Sequence, residues 1–277
     1  TQDSSSAASD VYKRQDANGV ASIEAADVDN GSNDPSGIDT MIVAPNTFIC
    51  ANIGVNNVTL TVTDNNGNSA NCTADVTIID NIPPNVVCQN VTVSLDAAGN
   101  ASVTENDIDN GTTDNCGFTL SLDGQSSFDC NDAGQFFDVT LIATDGSGNV
   151  SACSATVAVQ DDEGPVAICQ DVTVPLDAGG NASISPNDID NGSTDNCGVN
   201  LSLSGSTNYS CETIGVFTVT LTATDNSGNS ATCDASVTVV DDTPPTALCQ
   251  DVTVQLDANG TGSVDVTDID AGSTDNL

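Results

Sequence analysis

Histidine and tryptophan are absent from the 277 residues, and lysine and arginine together number 2. Lys13 and Arg14 are those two, both inside the hexapeptide DVYKRQ. With no His, and with Lys and Arg confined to that hexapeptide, a catalytic triad or Ser-Lys pair has no base to activate its nucleophile, so the chain is expected not to be an enzyme. The same lack of cations argues against nucleic acid or an anionic membrane surface as a partner. Sugar sites commonly stack their ligands on aromatic rings, and no Trp with only 2 Tyr leaves little for that purpose. No apolar run approaches the roughly 18 to 20 residues that span a bilayer, so no membrane contact by this fragment is expected. No signal peptide is visible either, and a fragment can have lost both signal and anchor.

What is abundant is aspartate. Of the 40 acids 36 are Asp, and residues 16–277 carry 38 acids with no base, so no salt bridge can form there. Such a surface repels itself, favouring solubility and an extended array while opposing compaction unless counterions or metal ions neutralise it. Acidic, aromatic-poor sequence also describes disordered chains, but the alternating segments below argue for a fold.

The chain repeats itself. The string opening at Asp96 (DAAGNASVTENDIDNGTTDNCG) recurs at Asp177 and Asp257, with a looser copy at Asp16, so the repeat period is about eighty residues throughout. A second block, VTLTATDNSGNSATC at Val219, has copies earlier in the chain, each leading to a Gly/Pro hinge: Pro83-Pro84, Gly164-Pro165 and Pro244-Pro245. Cutting at the hinges gives a truncated repeat at 16–82, complete repeats at 83–163 and 164–243, and a truncated one at 244–277, the first lacking its initial strand. Residues 1–15 are read as non-native, because DVYKRQ resembles a translated frame of a sequencing-library transposase adaptor; a short basic linker is the alternative.

Phe137, Val139, Leu141 and Ala143 alternate with mostly polar neighbours, and Cys153, Ala155, Val157 and Val159 do so after the turn at Asp145-Gly-Ser-Gly-Asn149, predicting an antiparallel hairpin. Val91, Val93 and Leu95 predict another strand, and no segment sustains a helical period. Phe128, Phe136 and Phe137 are assigned to core or rim. The fold class is therefore all-β: tandem immunoglobulin-like β-sandwich domains, with Pro at each hinge and like charge on neighbours favouring an elongated, rod-like array.

A core of about eighty residues with few aromatics calls for covalent staples in an oxidising compartment. Each complete repeat has four cysteines: Cys88, Cys116, Cys130 and Cys153, then Cys169, Cys197, Cys211 and Cys233. First and last strands of such a sandwich lie parallel and adjacent, which favours Cys88 with Cys153 and Cys116 with Cys130; Cys169 with Cys233 and Cys197 with Cys211 follow. Cys88 has the opposite parity to Val91 and needs a bulge or irregular start to its strand. The odd total of 11 is assigned to truncation: Cys72 and Cys249 lose their partners, Leu277 stands where Cys is expected, and Ser36 replaces Cys opposite Cys50. Zinc is disfavoured by the absence of His and of any Cys-x-x-Cys pair.

The strings TDNCG at Thr113 and Thr194, VTLTATDNSGNSATC at Val219 and PPTALCQDVTVQLD at Pro244 resemble the hyalin-repeat (HYR) family and kindred repeats of large bacteroidete surface proteins, over nearly all of residues 16–277. The resemblance implies an immunoglobulin-like sandwich, an extracellular or cell-surface setting and an association with adhesion. Asn33-Asp34-Pro35-Ser36, which lacks the TDNC cysteine, and Ala271 in place of Asn depart from the pattern.

Of cofactors none is certain; calcium is the candidate. Asp107 with Asp109, Asp188 with Asp190, and the hinge acids Asp161 and Asp162 offer the hard oxygens that calcium takes, with Asp114 and Asn115 nearby. The competing reading is that these residues only make turns, for which Asp, Asn and Gly need no metal. Paired carboxylates such as Asp107 and Asp109 could also serve a glycosidase, but their recurrence in every repeat argues for a structural duty. The functional expectation is a stalk or spacer whose partners are neighbouring repeats. The alternatives are receptor domains for a cell-surface glycan or protein, or accessory domains of a secreted enzyme.

Overall fold

The computed structural model describes residues 11–275. The described residues form two compact units, one of 11–93, Ser102–Phe128 and Gln135–Val159, the other of Ser94–Ala101, Asp129–Gly134 and 160–275. The expectations for residues 1–10 and for Leu277 lie outside the described residues.

In the first unit, the first repeat comprises β1 (Val11–Arg14), β2 (Ala21–Ser22), α1 (Ala25–Val28), β3 (Ile38–Ala44), β4 (Thr47–Phe48), β5 (Gly54–Asp64) and β6 (Ser69–Ile79). Its larger sheet runs β1-β6-β5-β3, with β1 parallel to β6 and the other pairs antiparallel. A second, two-stranded sheet pairs β2 with β4. The place of the initial strand, expected to be missing, is filled by Val11–Arg14, within the stretch read as non-native. Ladder pairing uses main-chain N–H and C=O groups, so it is indifferent to the origin of the side chains. Lys13 also reaches Asp27 at 2.9 Å.

The second repeat follows the same order: β7 (Val91–Ser94), β8 (Asn100–Ser102), α2 (Glu105–Ile108), β9 (Phe118–Asp123), β10 (Ser127–Asp129), β11 (Phe136–Asp145) and β12 (Val150–Gln160), with the large sheet β7-β12-β11-β9. In the second unit, the third repeat comprises β13 (Val172–Pro175), β14 (Asn181–Ser183), α3 (Pro186–Ile189), β15 (Asn200–Ser204), β16 (Asn208–Ser210), β17 (Gly215–Thr224) and β18 (Ser230–Val240). Its sheets are β13-β18-β17-β15 and β14-β16. A last helix, α4 (Val266–Ile269), follows in the segment after the final hinge. First strand parallel to last, flanked by fifth and third, with second and fourth opposite, is the immunoglobulin-like sandwich.

Strand periodicity places the core as read from the sequence. Val139, Leu141 and Ala143 on β11 and Ala155, Val157 and Val159 on β12 are buried, as are Val219, Leu221, Val237 and Val239 in the third repeat. Phe128 is buried with its ring centroid 5.1 Å from that of Phe137, whereas Phe136 is 74% exposed. The expectation of no helix is corrected by α1 to α4, each a single turn of four residues and too short to leave a 3.6-residue period.

Cys88 bonds Cys153 and Cys169 bonds Cys233, as expected. Cys88 lies ahead of β7 and bridges the backbone of Asp109, which is the irregular start that its parity requires. The other pairing is corrected. Cys116 bonds Cys50 and Cys130 bonds Cys197, so these bridges join one repeat to the next. The third repeat shows why Cys197 and Cys211 cannot pair. Cys197 precedes β15, whose Asn200 lies opposite Thr224 at the end of β17, while Cys211 leads into Gly215 at its start. The ten residues of β17 hold them apart by roughly 30 Å, far beyond disulfide reach. Ser36 likewise is not opposite Cys50, because Ile38 pairs with Asp64 at the far end of β5 from Gly54.

Candidate functional site

The Asp-x-Asp-Asn-Gly strings turn out to be local caps. Asp107, in α2, accepts the backbone N–H of Thr104 at 2.7 Å and its hydroxyl at 2.6 Å, closing a capping box. Asp109 accepts the N–H of Thr112 at 3.0 Å. Asp188 does the same for Ser185 at 2.7 Å and Asp190 for Ser193 at 2.9 Å. The side-chain hydrogen bond from Thr104 is the main reason that Asp107 titrates below the usual carboxylate range, and the backbone N–H of Ser185 is the main reason for Asp188. Asp162 accepts the Ser94 hydroxyl at 2.7 Å.

A different set of acids converges. Asp80, just past β6, Asp114, in the loop before β9, and Asp145, at the end of β11, each bring one carboxylate oxygen within 4.8 Å of the others. Asp161, Asp195 and Asp225 repeat the arrangement in the second unit. Asp80, Asp145, Asp161 and Asp225 are buried, at 7%, 6%, 6% and 4% exposure. Of the hinge acids singled out by sequence, Asp161 belongs to a triad and Asp162 does not. Asp114 is in the other triad, and Asn115 is adjacent to it.

Turn chemistry accounts for part of each triad. Asp145 accepts the N–H groups of Ser147 and Asn149 at 2.8 Å and the Asn149 amide at 2.7 Å, fixing the β11–β12 turn. Burial pushes the Asp145 carboxyl up, but these bonds outweigh it and leave it below the ordinary range. The Asn149 amide also donates to the Asp80 carbonyl at 3.2 Å, tying that turn to the end of the preceding repeat. Asp80 Oδ1 accepts from Ile82 N at 3.1 Å and Asn115 Nδ2 at 3.2 Å, and Asp114 Oδ2 accepts from Cys116 N at 2.8 Å. Two ionised carboxylate oxygens no more than 4.8 Å apart repel by at least about 3.5 kcal/mol at an effective dielectric constant near 20.

Beside each triad lies a staple. Gly19 and Gly99 hold φ of +73° and +75°, and a Cβ there would come within 2.6 Å of Cys50 Sγ and 2.5 Å of Cys130 Sγ, respectively. Asn115 O and Asn196 O would also crowd those Cβ atoms, at 2.8 and 3.0 Å. These glycines let the turn of one repeat pass against the disulfide that joins it to the next.

No family model matches the chain. The "Uncharacterized 81.3 kDa protein" of Acholeplasma phage L2 is 28% identical over 217 residues, covering 74% of this chain, and the match spans 28% of that protein's length. Solved structures that are similar include the protocadherin gammaB7 EC3-6 cis-dimer, 19% identical with a TM-score of 0.29 over 75% of this chain and 63% of that one. Sidekick-1 immunoglobulin domains 1–5 are 12% identical with a TM-score of 0.30, over 70% of this chain and 47% of theirs. Human mucin-like protocadherin EC1-2 is 16% identical with a TM-score of 0.31, over 57% and 98%. The immunoglobulin-like assignment rests on the strand order of each repeat rather than on these likenesses.

Proposed function

We propose that the chain is a non-catalytic stalk or spacer region of an extracellular adhesion-type protein, surface-bound or secreted. The observation that carries this reading is the overlap of four disulfide loops: 50–116, 88–153, 130–197 and 169–233. Disulfides persist in oxidising settings, which supports the extracellular placement. Bridges between repeats serve no chemistry; they give a tether a covalent route that bypasses most of the chain. From Cys50 that route crosses to Cys116, follows the backbone to Cys130, crosses to Cys197, returns along the backbone to Cys169 and crosses to Cys233. Load between Cys50 and Cys233 then falls on the short stretches 116–130 and 169–197 rather than on the whole intervening chain.

Single-molecule stretching tests the reading. Fully extended chain spans about 3.5 Å per residue, so the oxidised segment stops near roughly 150 Å and the reduced one near roughly 640 Å. Equal limits under both conditions refute a load-bearing role. Saturable binding of the oxidised chain to a glycan or a cell surface favours the receptor reading instead.

A further inference from the structure

Turn formation leaves a specific set of oxygens unused. Asp80 Oδ2, Asp114 Oδ1 and Asn115 Oδ1 are buried with no hydrogen-bond partner, and so are Asp195 Oδ1 and Asn196 Oδ1 in the second triad. Asp80 itself is 7% exposed. A buried, unpartnered carboxylate oxygen is costly, and here it lies among two further carboxylates. Among the described residues no cation pairs with the group: residues 16–277 contain no Lys, Arg or His, Lys13 is paired with Asp27, and Arg14, at the end of β1, is exposed. Recurrence of the same residue types, with the same atoms of the Asp114-Asn115 and Asp195-Asn196 pairs unpartnered, argues for one ligand taken twice.

We infer that each triad binds a calcium ion, held by Asp80, Asp114, Asp145 and the Asn115 amide oxygen in one case and by Asp161, Asp195, Asp225 and the Asn196 amide oxygen in the other. The donors are all hard oxygens, the chemistry of calcium and magnesium rather than of zinc. Calcium is favoured by the donor set: it takes about six to eight oxygens in a flexible shell, whereas magnesium demands a near-ideal octahedron, keeps several waters and usually takes only one or two carboxylates. Each triad offers three carboxylates, one oxygen of each within 4.8 Å of the others, and an adjacent Asn whose amide oxygen is unpartnered. Each set joins acids from two repeats, since Asp80 ends the first while Asp114 and Asp145 belong to the second. The ion therefore binds only when neighbouring repeats are docked. This inference stands apart from the stalk reading, which could fail without affecting it.

Titration of the chelator-treated, oxidised full chain with calcium at 0.15 M NaCl is the test. The expected uptake is two ions per chain, with Asp80→Asn reducing it to one and the double variant Asp80→Asn/Asp161→Asn abolishing it. The cap variant Asp107→Asn keeps both ions. The melting temperature rises more with calcium than with magnesium at equal ionic strength, and the double variant loses that difference. Absence of saturable uptake by the wild-type chain at several times roughly 1 mM, the weak end for extracellular calcium modules, overturns the inference without recourse to a variant. Undiminished uptake by a double variant that retains its β-sheet circular dichroism overturns the assignment of residues, and equal shifts with both ions overturn the choice of calcium.

Discussion

Cys130 and Cys197 are bonded to each other with Cα atoms 5.2 Å apart, although 67 residues and a hinge separate them. Closing a loop of that length in the unfolded chain is worth about 4 kcal/mol in the chain-entropy account. Non-reducing peptide mapping is expected to recover Cys50 with Cys116 and Cys130 with Cys197, and a Cys116–Cys130 peptide would contradict the structure. Cys130→Ser is expected to cost about 2 to 5 kcal/mol in denaturant unfolding.

Gly99 is the position where the smallest side-chain addition does the most harm. Gly99→Ala places a methyl 2.5 Å from Cys130 Sγ on a residue with φ of +75°. The expected penalty is about 1 to 3 kcal/mol, accompanied by thiols that remain titratable after oxidation. Gly111→Ala is the control: its φ is +94° but its Cβ meets nothing within 4 Å, so it should bear the backbone cost and leave the thiol count unchanged.

The caps give an acid signature. Asp107 titrates below its unfolded range, so its contribution is present above the unfolded pKa of about 3.9 and is lost as pH falls through the folded value. Asp107→Ala is expected to lower stability by about 1 kcal/mol at pH 7. That difference should hold to about pH 5 and shrink below about pH 4; urea titrations across the range check it. A difference that grows on acidification would mean the carboxylate is not stabilised by its caps.

In the third repeat Leu221 is fully buried, within a core otherwise built largely of Val, Ile and Ala. Leu221→Ala is expected to cost about 2 to 5 kcal/mol, with the larger values if the small core fails to collapse around the cavity. Leu203, half-buried on β15, should cost less when cut to Ala. Denaturant unfolding of both variants tests the ranking.

The parts of the fold visible in sequence are those written locally. Alternation on β11 and β12 exposes the hairpin, and recurrence at a period of about eighty residues exposes the repeats. Single-turn helices escape because so short a segment cannot display a period. The partner of Cys116 is misread from sequence because, once Cys88 is given to Cys153, Cys130 is the cysteine left within the repeat, whereas β9 and the strand after it carry the chain away before Cys130 is reached. The triads are hidden for a related reason. Asp80, Asp114 and Asp145 are far apart along the chain and resemble hinge, loop and turn acids. Their recurrence at Asp161, Asp195 and Asp225 is the available signal, but Asp-x-Asp-Asn-Gly recurs as well and is denser, and its carboxylates are already engaged by Thr104, Thr112, Ser185 and Ser193.

Because each disulfide loop begins before the previous one closes, every peptide bond between Cys50 and Cys233 lies inside at least one ring. A protease that cuts once anywhere in that stretch, even at Pro83-Pro84 or Gly164-Pro165, opens a ring without releasing a fragment. In an environment rich in secreted proteases, severing this segment takes two cuts or a reductant as well.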